Sequence, residues 1–106
     1  MKSNDQNRDW NPANYAVRNG ADAPFTVTVS GRERWALECL MSAGNNGCTP
    51  IETPGPRWSA YVFDLRAMGL NIETINEAHA GPFAGTHARY VLRSYVTRAT
   101  NDEAAA

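Results

Sequence analysis

At 106 residues, 42% of them apolar, the chain is one domain's worth of polypeptide, enough for a small core and too little for a deep enzyme cleft. Its formal charge of −1 does not advertise nucleic-acid binding. No run approaches the roughly 20 apolar residues of a membrane span, and the opening MKSNDQNRDW lacks the apolar core of a signal peptide, so a cytoplasmic address and no membrane partner are expected.

Residues 1–24 are rich in Asn, Asp and Arg and show no apolar period, which predicts a flexible N-terminal arm with Trp10 and Tyr15 as the groups able to tack it down. FTVTVS at 25–30 alternates and is β-branched, and predicts a strand with Phe25, Val27 and Val29 on one face. Ser30-Gly31-Arg32-Glu33 has the spacing of a capping box. The helix behind it carries Ala36, Leu37, Leu40 and Ala43 on one stripe and stops at Gly44, with GNNG as a turn. Within this helix Cys39 reads as a small buried hydrophobe, and a bridge to Cys48 is disfavoured in a reducing compartment.

Thr49-Pro50-Ile51-Glu52 is a second capping box with proline where its missing N–H costs nothing. Pro54 disfavours a helical Thr53, so this helix is predicted to last about one turn. Gly55-Pro56 restarts the chain, and Trp58, Tyr61, Val62 and Leu65 then fall at i, i+3, i+4 and i+7 of a third helix ending at Gly69. Residues 71–77 and 88–96 read as two strands around a protruding Gly- and Pro-containing loop, with Tyr90 and Leu92 facing the core and Arg89, Val91, Arg93 and Tyr95 facing away. Residues 98–106 are expected to fray.

Strand, helix, short helix, helix, strand, loop, strand is the order of an α+β winged helix-turn-helix domain over residues 25–97: three helices, one of them short, a β-hairpin wing and a preceding short strand. RERWALECLMSAG, a Thr-initiated short helix, RWSAYVFDLRAMGLNIET, a Gly-rich loop and HARYVL together resemble a family of small winged-helix domains found in phage and prophage genomes. The run Leu65, Arg66, Gly69, Ile72 and Glu73 is its most recognisable part, and the resemblance covers roughly residues 31–96. It implies the fold, and it implies a regulator or accessory factor of phage or prophage type.

In such a domain the third helix enters the major groove and the wing lies along the backbone or minor groove. The exposed side of the third helix should carry Arg57, Ser59, Ala60, Phe63, Asp64 and Ala67, with Arg66 at its flank. Arg57 and Ser59 can hydrogen-bond to bases or phosphates, whereas Asp64 opposes a phosphate unless it pairs locally or accepts from a cytosine amine. Arg89 and Arg93 are two apart on one strand face and could straddle a phosphate, or pair with Glu73 or Glu77 opposite. Phe83 at the wing tip could insert at a base step, dock on a partner or fold back on its own hairpin. His87 beside the wing completes the candidate DNA-contacting set of Arg57, Ser59, Ala60, Phe63, Arg66, His87, Arg89 and Arg93. His79 and His87 would flank the wing and face each other across it, too few groups for a metal site. The chain has no G-x-S-x-G, H-E-x-x-H or Walker motif, so neither an enzyme nor a cofactor is expected.

Two readings stay open. The first is a small winged-helix protein that binds double-stranded DNA, weakly as a monomer because ~3–4 phosphate contacts give modest affinity, with a homodimer or protein partner supplying the remainder. The second is a winged-helix protein–protein interaction module without DNA binding.

Overall fold

The computed structural model describes residues 10–53, 57–79 and 85–99. Its first strand, β1 (Ala13–Arg18), lies inside the polar stretch expected to be an arm. Ala13, Tyr15 and Val17 alternate with Asn14, Ala16 and Arg18, so one apolar face forms despite the polar surroundings. β1 is the centre of a three-stranded antiparallel sheet, between β2 (Phe25–Val29) and β5 (Tyr95–Arg98). Tyr15 faces Val27, Val17 faces both Phe25 and Val96, and both β1 side chains are fully buried. The arm reading therefore fails for residues 13–18. The expected fraying fails for Arg98, which is in β5, and for Ala99, whose amide donates to the Asn14 carbonyl at 2.9 Å. Residues 1–9 and 100–106 lie outside the described residues.

Helix α1 (Gly31–Ala43) starts where predicted and buries Ala36, Leu37 and Leu40. Ser30 occupies the cap position without a side-chain bond. Instead the Gly31 amide donates to the Trp10 carbonyl at 2.7 Å, which ties the segment before β1 to the helix start. A second tie is the Tyr15 hydroxyl, which donates to Glu38 Oε2 at 2.5 Å and accepts from Arg34 Nε at 3.0 Å.

After α1 a 3-10 turn, Gly44–Asn46, leads to Cys48, whose backbone exchanges two hydrogen bonds with Tyr90 at 2.9 and 2.8 Å. This single bridge, rather than Phe25–Val29, leads into the hairpin sheet. The predicted second capping box forms in part, since the Glu52 amide donates to Thr49 Oγ1 at 3.0 Å. The Thr53 amide closes one turn on the Thr49 carbonyl at 2.8 Å. The expected short helix is thus a capped turn, and the described residues contain two α-helices; Pro54, Gly55 and Pro56 lie outside them.

Helix α2 (Trp58–Ala67), the third predicted helix, buries Trp58, Tyr61, Val62 and Leu65 as its period requires. The Trp58 ring stacks on Tyr90 with centroids 6.0 Å apart, and Trp35 of α1 packs against it at 5.3 Å. The Trp58 indole N–H donates to the Thr53 carbonyl at 2.7 Å.

The hairpin is longer than predicted. Strand β3 (Ile72–His79) pairs in antiparallel register with β4 (Gly85–Leu92), from Ile72 opposite Leu92 to His79 opposite Gly85. The predicted strand 88–96 is two strands. Arg93 and Ser94 leave the hairpin because both their amides turn to the Asn71 carbonyl, at 2.8 and 3.3 Å, and the chain then enters β5 of the other sheet. Tyr95 therefore does not share a sheet face with Arg89 and Arg93. At this corner Ser94 Oγ accepts from the Asn71 amide at 2.8 Å and donates to Asn19 Oδ1, while Asn19 Nδ2 donates to the Gly69 carbonyl at 2.9 Å. Phe83 lies outside the described residues.

A chain beginning at Phe25 would lack Tyr15, Val17 and the middle of a sheet. It is expected to lose at least about 4 kcal/mol, or to unfold without cooperativity, in urea denaturation. Gly47 has φ +68, and a Cβ there would stand 2.5 Å from the Tyr90 carbonyl oxygen and 2.8 Å from Val91 Cγ2. Gly47→Ala should cost about 2–4 kcal/mol in the same measurement, through left-handed strain and overpacking together.

Candidate nucleic-acid interface

Burial of Trp58, Tyr61, Val62 and Leu65 turns the opposite face of α2 outward. Arg57, Ser59, Phe63, Arg66 and Ala67 are exposed, Phe63 at 71%, while Ala60 and Asp64 are half-buried. Arg57 and Ser59 have no side-chain partner among the described residues. Arg66 is engaged: its guanidinium donates through Nε to the Ile72 carbonyl at 3.0 Å and through Nη2 to Thr74 Oγ1 at 2.8 Å. It joins the end of α2 to β3.

Asp64 lies near Glu33 of α1. Burial first, and then the presence of this second acid, raise the Glu33 carboxyl above its ordinary value. The expected local partner of Asp64 is thus another carboxylate rather than an arginine.

Arg89 lies on β4 and Arg93 just past its end at Leu92, and both guanidinium groups reach the Asn45–Asn46 segment. Val91 between them is fully buried. Arg89 Nη1 donates to the Asn46 carbonyl at 2.6 Å, and Arg93 Nη1 reaches Asn45 Oδ1 at 3.4 Å. Asn45 and Asn46 thus accept hydrogen bonds that a straddled phosphate would otherwise accept. Each guanidinium also has an acid: Arg89 Nε donates to Glu77 Oε2 at 2.5 Å and its Nη1 stands 3.3 Å from Glu52 Oε1, while Arg93 Nη2 stands 2.7 Å from Glu73 Oε1. The bond from Arg89 holds the Glu77 carboxyl below its ordinary value.

His87 faces Glu77 across the hairpin, with Nε2 3.2 Å from Oε1, whereas the backbone of His79 pairs in register with Gly85. The two histidines are therefore not opposite one another. Among the described residues no group of three or more His, Cys, Asp or Glu is placed to hold a metal ion. Both cysteines are free thiols, and burial pushes Cys48 up to about 11.

Across the Thr49–Thr53 turn, α2 and the described hairpin, Arg57, Arg66, Arg89 and Arg93 are matched in number by Glu52, Asp64, Glu73 and Glu77. The structure therefore brings Arg57, Ser59, Ala60 and Phe63 together on one open helix face. It sets Arg66, His87, Arg89 and Arg93 into contacts within the fold. Glu52, the Asn45 side chain and the Asn46 carbonyl, which engage Arg89 and Arg93, were missed as members of this region; no sequence signal places a loop 43 residues away over a strand.

Two helices, a capped turn between them and an antiparallel hairpin joined to the second helix by Arg66 and Trp58 define a winged helix. The chain belongs to the winged helix domain family, whose model matches residues 26–102. No curated protein and no solved structure matches it. The matched region begins after β1, so the central strand of the three-stranded sheet lies outside it. Among the described residues no helix is long and apolar enough to cross a membrane.

The two shifted acids have opposite pH signatures. Glu33, raised, contributes stability that is fully present below its unfolded value and is lost as pH rises through its folded one. Glu77, lowered, contributes stability present above about 4.5 and lost as pH falls through its folded value. Glu33→Gln should raise the thermal midpoint at pH 7 by about 1–3 °C, because the amide donates to Asp64 without repulsion. That gain should fade below pH 4.5, where wild-type Glu33 is protonated.

Proposed function

We propose that the protein binds double-stranded DNA through α2, with the helix entering the major groove and Arg57 and Ser59 supplying its first hydrogen bonds. The observation that carries this reading is the open outer face of α2, which ends in an arginine and a serine without partners among the described residues. A winged helix is compatible with this use, although fold alone does not fix it. The resemblance to phage and prophage winged helices supports a role as a transcriptional regulator or accessory factor in such a genome.

The state of the wing sets the affinity. Arg89 and Arg93 are held by glutamates and by the Asn45–Asn46 segment, so they contribute little to backbone neutralisation. Few released counterions follow, and a monomer should bind modestly. A homodimer would double the contacts.

A second reading has its own support. Equal numbers of arginines and carboxylates, together with Phe63 exposed at 71%, suit docking on another protein.

Fluorescence anisotropy with a random duplex at low salt separates the two. Measurable binding that weakens with salt, with a log–log slope shallower than about −3, is the expected result. Arg57→Ala should weaken binding about tenfold without changing the thermal midpoint. Arg89→Ala should act chiefly by lowering stability, since it releases Glu77, Glu52 and Asn46. Absence of binding at every salt concentration would refute the DNA reading and leave the protein partner.

A further inference from the structure

Ala60, Phe63 and Ala67 are spaced by three and four residues, so they form one stripe along the outer face of α2. This is a second apolar stripe on a helix whose first is already buried by Trp58, Tyr61, Val62 and Leu65. Phe63 stands out at 71% exposure near its middle. The polar groups around the stripe are either few or committed. Arg66 is held by Ile72 and Thr74. Asp64 is half-buried. Arg57 and Ser59 stand together at the start of the helix.

The base edges in a major groove offer one apolar group, the C5-methyl of thymine; the other features are hydrogen-bond donors and acceptors. Bidentate reading of adenine needs Asn or Gln, and of guanine Arg or Lys. The helix α2 contains no Asn, Gln or Lys, and its one arginine is Arg66. Resting on the DNA reading above, we infer that α2 recognises thymine-containing sites by apolar contact of Phe63, flanked by Ala60 and Ala67, with thymine methyl groups. Arg57 at the helix start then adds a single hydrogen-bonded base or phosphate contact. Phe63 is the residue that sets specificity.

Replacing thymine by deoxyuridine removes the methyl and leaves base pairing intact, which isolates this contact. The full chain is titrated at low salt against fluorescein-labelled duplexes of alternating A·T, the same sequence with every thymine replaced by deoxyuridine, and alternating G·C. The A·T duplex should bind about fourfold to fifteenfold more tightly than the A·U duplex, as expected for one or two buried methyl groups. Phe63→Ala should remove that difference while retaining the residual affinity. Because Phe63 is exposed, the variant should keep the wild-type circular dichroism and thermal midpoint. Equal wild-type affinity for the A·T and A·U duplexes would overturn the inference while leaving DNA binding intact. An A·T preference that survives in Phe63→Ala would overturn the assignment to Phe63. No binding to any of the three duplexes would overturn both this inference and the reading on which it rests.

Discussion

Trp58 is the joint on which the arrangement of helices and hairpin depends. Its ring lies between Trp35 of α1 and Tyr90 of β4, and its N–H is bonded to the turn before it. Three elements far apart in sequence thereby meet at one side chain. Burying such a ring contributes more than any exposed ion pair, and each aromatic pairing adds about 0.5–1.5 kcal/mol beyond area. The partly exposed Arg93–Glu73 pair belongs instead to a class worth about 0–1 kcal/mol. The direction of α2 relative to the hairpin is therefore set by packing, and the ion pairs adjust themselves to it.

That ranking explains how the charges are deployed. Arg66, Arg89 and Arg93 all point at oxygen atoms of the protein itself: the Ile72 and Asn46 carbonyls, Thr74 and three glutamates. A guanidinium can satisfy several acceptors at once in a fixed fork, so it suits the task of fastening a loop or a helix end to a strand. The consequence for recognition is a division of labour. The hairpin is a brace for the domain, and the outward face of α2 is left open.

Much of this was legible from residue order. The 3.6-residue period placed the buried faces of both helices correctly, because the bulk of Trp58, Tyr61, Val62 and Leu65 outweighs Ala60, Phe63 and Ala67 on the opposite side of the second. Alternation put Arg89 and Val91 on one side of β4 but carried Arg93 on in the same strand, where β4 in fact ends at Leu92. Three features were hidden for physical reasons. β1 has alanine at two of its six positions and asparagine, aspartate and glycine nearby, so its period-two signal is faint; tertiary pairing on both edges makes it a strand. The break between β4 and β5 has neither glycine nor proline at Arg93–Ser94 and depends on a distant acceptor, Asn71. The partners of the hairpin arginines lie in a loop remote in sequence, and a local pattern carries no information about them.

The pairing of β1 with β5 joins Tyr15 to Arg98 and Arg18 to Tyr95, contacts that span most of the polypeptide. Closing so large a loop is entropically slow, whereas the helices and the β3–β4 hairpin need only neighbouring residues. During synthesis β5 must leave the ribosome before the middle strand can acquire its second edge. A nascent domain would therefore hold its helices and hairpin early and complete its remaining sheet last, with Tyr15 and Val17 awaiting their final cover until then.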